Sequence, residues 1–531
     1  MRPRRRSSLK KAPYVLVALA VVVVIVLLSA YCRAQQQDQT STEQHGGRDS
    51  GQSETTQSSS EGAGSELQSA LVPIAHLASP KNDVSVEELS QTEDLAVPQE
   101  LSAIAGELLG SSDGLELFDS PTAVVDHVSQ TPDAVGLVPW DAVTPRVKAL
   151  AVGGKTLLAP GTRAPEDYPL SSGDMTGPDP EKLRRIVVGG DIVLDRGQSY
   201  TVIQQNMGLD FPLDGGYAAI TGRTLVPNPY SESDLVHQFT AERRGEAGAV
   251  REYLSSAALT LANFENPVLE NATWHPEATT FTGDLRLLPE LEQASIDGVT
   301  LGNNHIMDAG VPGLEETLRH LDDAGISHAG AGADLEAARE PMIFDLGGLK
   351  IGVLSYQGVP NYEWAWATPS VPGTAPLQED VMREDVQNLR PKVGLVIVMP
   401  HWGIEYTAPP EPEQVKFAHA AIDAGADFLV GDHAHWPKGI EMYEDKPIFY
   451  GTGNFLFDQS WSEETSTGIF VEAILYGDHI MQARPVPFVI LDYAQPNFLV
   501  PEAGGDRALE TIFSASLGPE FEAYNRPRES S

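Results

Sequence analysis

Between Arg185 and Val500 the chain repeats one pattern, a short apolar run that halts on a polar cluster. The runs Ile186–Val188, Gly298–Leu301, Lys350–Leu354, Leu395–Val398, Asp427–Val430 and Pro447–Tyr450 are rich in β-branched and apolar residues with little alternation. Runs of that kind are strands covered on both faces. Helical patterns at Leu285–Ala294, Leu314–Ala324 and Glu411–Ala424 separate several of them. This alternation predicts an α/β unit over 185–500. No helical pattern separates the segments around Thr467–Leu475 and Asp478–Leu491, which are expected to form an antiparallel hairpin.

The polar clusters carry the chemistry. Gly189-Gly190-Asp191 follows the first run, and Asn263-Phe264-Glu265-Asn266 follows Ala258–Ala262. Gly302-Asn303-Asn304-His305 follows the next, with Asp308 one helical turn on. His401-Trp402-Gly403-Ile404-Glu405, Gly431-Asp432-His433-Ala434-His435 and Gly453-Asn454-Phe455 end later runs. In an open α/β sheet the carboxyl ends of the strands line one crevice, so these groups are expected to converge. Asp, Glu, Asn and His together are ligands for a divalent metal, and a cation offsets the cost of burying carboxylates. Singly, each cluster has an ordinary structural explanation: a hydrogen-bonded histidine, a Gly-Asn turn, an Asp432 that caps or orients. Their joint occurrence points to a metal or acid–base site. Gly330-Ala331-Gly332 lacks the context of a dinucleotide fingerprint and reads as a tight βα turn. Trp364-Ala365-Trp366 reads as a mobile aromatic loop, with stacking on a sugar or polymer one use for it.

The rest of the chain sets its surroundings. Thirty-five basic residues against 75 acidic ones give a net charge of −40, a surface that repels phosphate backbones and excludes nucleic-acid binding. The single cysteine, Cys32, rules out an internal disulfide. Residues 1–11 form a basic tail, and 12–31 an apolar run long enough to span a bilayer as a signal-anchor helix. The positive-inside rule then places the N-terminus in the cytoplasm and the bulk of the chain outside, as a single-pass protein of the cell membrane. A cleaved signal peptide is the rival, because Cys32-Arg33-Ala34 loosely fits a small-x-small site. Residues 32–70, Ser- and Gln-rich, read as a disordered stalk. Residues 71–170 read as a small α/β module, with apolar runs at Leu71–Leu77, Ala134–Val138 and Ala149–Leu158 and helix-like stretches at Val97–Leu109 and Pro121–Val128. This module weakly resembles one lobe of solute-binding proteins, the alternative being a structural or docking unit. Residues 501–531 read as a flexible tail.

The ordered set Gly190-Asp191, Asn263-x-Glu265, Asn303-Asn304-His305-x-x-Asp308, His401-Trp402-Gly403-x-Glu405, Gly431-x-His433-x-His435 and Tyr450-Gly-x-Gly453-Asn454-Phe455-x-Phe457-Asp458 resembles the CapA family of capsule-synthesis proteins tied to poly-γ-glutamate. The resemblance implies a layered α/β/β/α sandwich similar to calcineurin-like metallophosphoesterases. It implies Asp191, Glu265, Asn304, His401, His433 and His435 as ligands of one or two divalent ions (Mn, Zn or Fe). It also implies His305 as the acid that protonates a leaving group, with Asp308 orienting it. The implied partners are an envelope polymer such as poly-γ-glutamate or capsule and a membrane synthase complex. Two roles follow: a metal-dependent hydrolase or transferase, or a non-catalytic accessory subunit that holds exported polymer or the synthase. Metallophosphoesterases place a His two residues after the first Asp, where this chain has Val193, so one ligand of the first metal is missing. Apart from metal ions, no basic group to hold a phosphate is expected nearby.

Overall fold

The computed structural model describes residues 69–160, 167–173, 175–229, 235–276, 279–500 and 505–525. The basic tail, the anchor run and all but the last residues of the stalk lie outside them. Among the described residues no helix is long and apolar enough to cross a membrane.

Two sheets stack face to face. The first has ten strands, and one end of it is the parallel set Leu183–Ile192, Leu259–Phe264, Gly298–Thr300 and Ser327–Ala329, the last of these at the edge. Thr467–Tyr476 continues it antiparallel beside Leu183–Ile192 and pairs with His479–Leu491, the expected hairpin. The second sheet has six strands around the parallel set Leu349–Gln357, Leu395–His401, Phe428–Val430 and Lys446–Phe449. Every run marked as a strand in the sequence between 185 and 450 lies in one of these two sheets.

Side-chain alternation sets the layers. Ile186 and Val188 point from the first sheet into a shared apolar layer with Ile351, Val353, Leu395 and Ile397 of the second. Val187, on the opposite face, packs with Val250, Leu287, Leu314 and Leu321 from helices. Val396 and Val398 face Met382, Val386 and Phe417 on helices of the other side. The result is four layers, helix–sheet–sheet–helix. This is the layered α/β/β/α sandwich that the family resemblance implies. A strand apolar on both faces satisfies either a doubly wound sheet or a sandwich, and only the partner of each face tells them apart.

The small module is a five-stranded sheet, with Leu71–His76 antiparallel to both Val135–Pro139 and Val147–Ala149, and helix Pro121–Gln130 upon it. The helix expected from Val97 begins at Ser102 instead, because Leu95–Pro98 pairs in parallel with Leu115–Phe118. Of the apolar stretch Ala149–Leu158, only Ala151–Val152 forms a strand beyond the end of Val147–Ala149. The module shares its core with Leu183, Ile474 and Met481 of the large domain. The tail expectation is corrected for its described part: Gly505–Ser514 is a helix, and Ile512, Phe513 and Phe521 are buried. Burial of those side chains supplies the favourable term that a reading of polar composition misses. His76 Nε2 lies 2.6 Å from the Glu520 carbonyl, which ties the module to this end of the chain.

Candidate metal centre

Two residues make the close packing of the site possible. A side chain on Gly190 would place its Cβ 1.8 Å from the Gly453 carbonyl oxygen, where the Asn454–Leu456 strand runs parallel beside Asp191. Gly431 likewise leaves room for the Trp402 indole, whose Nε1 donates to the Tyr450 carbonyl at 3.1 Å.

All six expected ligands meet at the ends of strands from both sheets. Asp191, Glu265, Asn304, His401, His433 and His435 are each buried. Asn263 Nδ2 donates to Asp191 Oδ1 at 2.8 Å and lies 3.1 Å from His401 Nδ1, so one amide holds a carboxylate of the first sheet against an imidazole of the second. His401 Nε2 donates to Asn304 Oδ1 at 2.8 Å and lies 3.2 Å from Glu265 Oε1. His435 Nδ1 lies 3.2 Å from Asp191 Oδ2 and 2.9 Å from Asn454 Oδ1.

His433 and His435 hold their backbones at φ 89° and 54°, the left-handed region. Such a conformation costs about 1–3 kcal/mol per residue and persists where surrounding structure demands it. Here it brings two imidazoles from one turn to the same carboxylate, Glu265. Ligand atoms of Glu265, His433 and His435 all lie within 4.8 Å of one another.

The electrostatics show what the cluster lacks. Neither oxygen of Glu265 makes a hydrogen bond, and His433 Nδ1 has no partner. Burial, then the neighbouring His401 and His435, hold the His433 pKa well below its ordinary value. Burial alone lowers His435 too, but Glu265 and Asp191 outweigh it and bring its pKa up to about 9. Burial and the Asp191 charge push the Asp432 carboxyl well up, while Thr452 Oγ1 donates to it. Buried, unpartnered carboxylate and imidazole atoms side by side fit a divalent cation.

His305 and Asp308 stand apart as a pair: His305 Nδ1 lies 2.8 Å from Asp308 Oδ2, which also accepts from the Phe281 N–H at 2.8 Å. Asn303 seats this turn by accepting from the Ile306 N–H at 2.9 Å and donating to the Phe264 carbonyl at 2.8 Å. The Phe281 ring lies 4.5 Å from His305, with Tyr362 on another approach at 6.4 Å. Val193, where the resemblance to metallophosphoesterases implies a histidine, packs with Phe281 and Phe457 in an apolar wall.

Asn263 and Asn454 stood in the motifs without an assigned role, and their amides prove to brace the site. Arg196 was missed altogether, and it corrects the expectation that no basic group lies near. It is buried, ion-paired to Asp458 at 3.2 Å, and sits 5.7 Å from the centre of the Phe457 ring, which contacts His435. Trp364-Ala365-Trp366, expected as a mobile loop, includes a 3₁₀ turn with Ala365 buried and Trp366 Nε1 donating to the Gln357 carbonyl at 3.3 Å. Trp364 is exposed. Gly330-Ala331-Gly332, expected as a tight βα turn, instead carries a two-residue strand, Ala331–Gly332, antiparallel to Gly373–Thr374, between Ser327–Ala329 and the helix Leu335–Ala338.

The family model for the bacterial capsule synthesis protein PGA_cap matches residues 185–459, a stretch that holds every residue of the cluster. The chain belongs to this family. A capsule biosynthesis protein CapA of Bacillus anthracis is 30 % identical over 228 residues, 41 % of this chain and 55 % of that protein. A protein of Mycobacterium tuberculosis named "Probable polyglutamine synthesis accessory protein" is 38 % identical over 172 residues, 30 % of this chain and 44 % of its own length. The chain thus spans about half the length of these family relatives. Among solved structures, Haemophilus influenzae NAD nucleotidase overlaps 64 % of this chain and 58 % of its own at 15 % identity, with a TM-score of 0.34, a likeness too slight to bear on chemistry.

Proposed function

We propose that this PGA_cap-family protein acts at the outer face of the cell membrane in making a capsule or poly-γ-glutamate-type polymer, as a metal-dependent hydrolase or transferase. The observation that carries the reading is the buried Glu265, His433 and His435 cluster with unpartnered ligand atoms, beside the His305–Asp308 pair. Asp191, Glu265, Asn304, His401, His433 and His435 would hold one or two divalent ions (Mn, Zn or Fe). Such an ion supplies Lewis acidity and activates water at neutral pH. The chain's own residues supply the rest. Asp308 holds His305 Nδ1, which leaves Nε2 to deliver a proton to a leaving group. Asn263 keeps Asp191 and His401 in register. Arg196, ion-paired with Asp458, backs the Phe457 ring that contacts His435. The metallophosphoesterase likeness of the site, the single-pass anchor at 12–31 with the N-terminus inside, and partnership with a membrane synthase belong to this same reading.

Val193 favours a second reading, an accessory subunit that holds polymer without turning it over, because an apolar wall stands where a ligand is missing. His305→Ala separates the two in a deletion strain. If the protein is a hydrolase or transferase, the variant keeps its metal and melting temperature and fails to restore the polymer. Full restoration with metal still bound overturns the catalytic reading in favour of the accessory one.

A further inference from the structure

A second polar recess lies where the small module, the first sheet and the C-terminal helix meet, and none of its lining residues belongs to the metal centre. It encloses about 710 Å³, within the size range of ligand sites. On the hairpin, Glu472 pairs across the strands with Arg484, whose Nε donates to Glu472 Oε1 at 2.7 Å. Arg185 Nη1 approaches the same carboxylate at 3.7 Å while its guanidinium lies 4.7 Å from the centre of the Tyr253 ring. One buried carboxylate therefore serves two guanidinium groups, and Lys148 of the module adds a third cation to the lining. Arg484 uses only Nε on Glu472, and 39 % of its side chain stays accessible within the recess. Leu77, Pro487, Phe498, Leu509 and Phe513 supply apolar walls, and the exposed Glu246 and Glu252 complete the charged lining. Lys148, Arg185 and Arg484 balance Glu246, Glu252 and Glu472 in this lining, so the recess lacks the acidic excess of a chain of net charge −40.

We infer that this recess binds a segment of a carboxylate-bearing chain. The terminal nitrogens of Arg484 grip one carboxylate in the paired geometry that guanidinium groups favour, and the apolar walls take the methylene stem. The inference rests on the polymer reading above and names a second grip on that polymer, which gives the small module a share in holding it.

The test uses the full-length protein and a γ-linked glutamate decamer as probe, by calorimetry. Arg484→Gln is expected to weaken binding about tenfold, the loss of one charge-assisted hydrogen-bonding group, with metal content unchanged. Ser256→Asp, on the exposed rim, sets a carboxylate beside Arg185 and is expected to weaken binding similarly, which keeps the test decisive should Arg484→Gln fail to fold. Wild-type affinity in the variants that fold, or a wild-type protein that does not bind the decamer, overturns the recess. So does inorganic phosphate that displaces the decamer at equal concentration, because the recess is then a general anion site. Loss of binding only in His433→Ala with His435→Ala also overturns the recess yet leaves the functional reading standing. Polymer production by a deletion strain bears on that functional reading alone.

Discussion

Glu265 and Glu290 are both fully buried, and neither carboxylate accepts a hydrogen bond. Their surroundings give them opposite fates. Glu290 sits on a short helix whose neighbours Leu287, Leu288 and Leu291 enter the apolar core. Burial, and then the like charge of Asp210, push its carboxyl well above the usual range, so it keeps its proton. Glu265 sits among His401, His433 and His435, which bring nitrogen lone pairs within reach of its carboxylate. Among leucines, protonation is the cheapest way to remove a buried charge. Among imidazoles and a second carboxylate, a divalent cation serves better, because it satisfies several donors at once. An orphaned buried acid therefore signals a metal only when its neighbours are themselves ligands.

The largest effect expected from this contrast is on metal content. His433→Ala combined with His435→Ala should abolish bound divalent metal by elemental analysis, while Glu290→Gln should leave it at the wild-type level. Equal loss in both would break the comparison. Next in size is His305→Ala, which removes a proton donor and no ligand. Its turnover on polymer should fall by about two to four orders of magnitude with metal retained. Glu265→Gln keeps the shape of the side chain but removes its charge, and metal affinity measured against a competing chelator should fall by about a hundredfold.

The smallest effect is a pH-dependent one at Glu290. Its folded pKa is raised above the unfolded value of about 4.5. The folded state is therefore unpenalised below that value and loses stability as pH rises toward the folded pKa. Glu290→Gln should raise the melting temperature by on the order of a degree or two at pH 8 and leave it unchanged at pH 4. A gain of equal size at both values would mean that packing, and not charge, is responsible.

Much of the site was legible because strand ends carry it. Asp191, Glu265, Asn304, His401, His433 and His435 each follow an apolar run directly, and parallel strands bring such ends together whichever sheet they enter. The braces were harder to see. Arg196 and Asp458 lie far apart in sequence, and nothing local to either announces the ion pair. The ribbon formed by Tyr217–Pro227 and Leu235–Arg244 escaped because much of it is exposed and polar, without the continuous apolar signal of a buried strand. The C-terminal helix escaped for a related reason. Its few apolar residues make sense only against the core that receives them.

The sequence by itself determined most of the buried strands and the residues that end them, because these depend on residue order and local periodicity, and its ordered motifs carried the resemblance to the family. Only the tertiary structure decided which strands enter each of the two facing sheets, that an asparagine amide bridges Asp191 to His401, and that the small module shares its core with the large domain. The physical reason is that an apolar or polar side chain specifies that it must be covered or paired, but not by which distant partner. That choice is made where the faces meet.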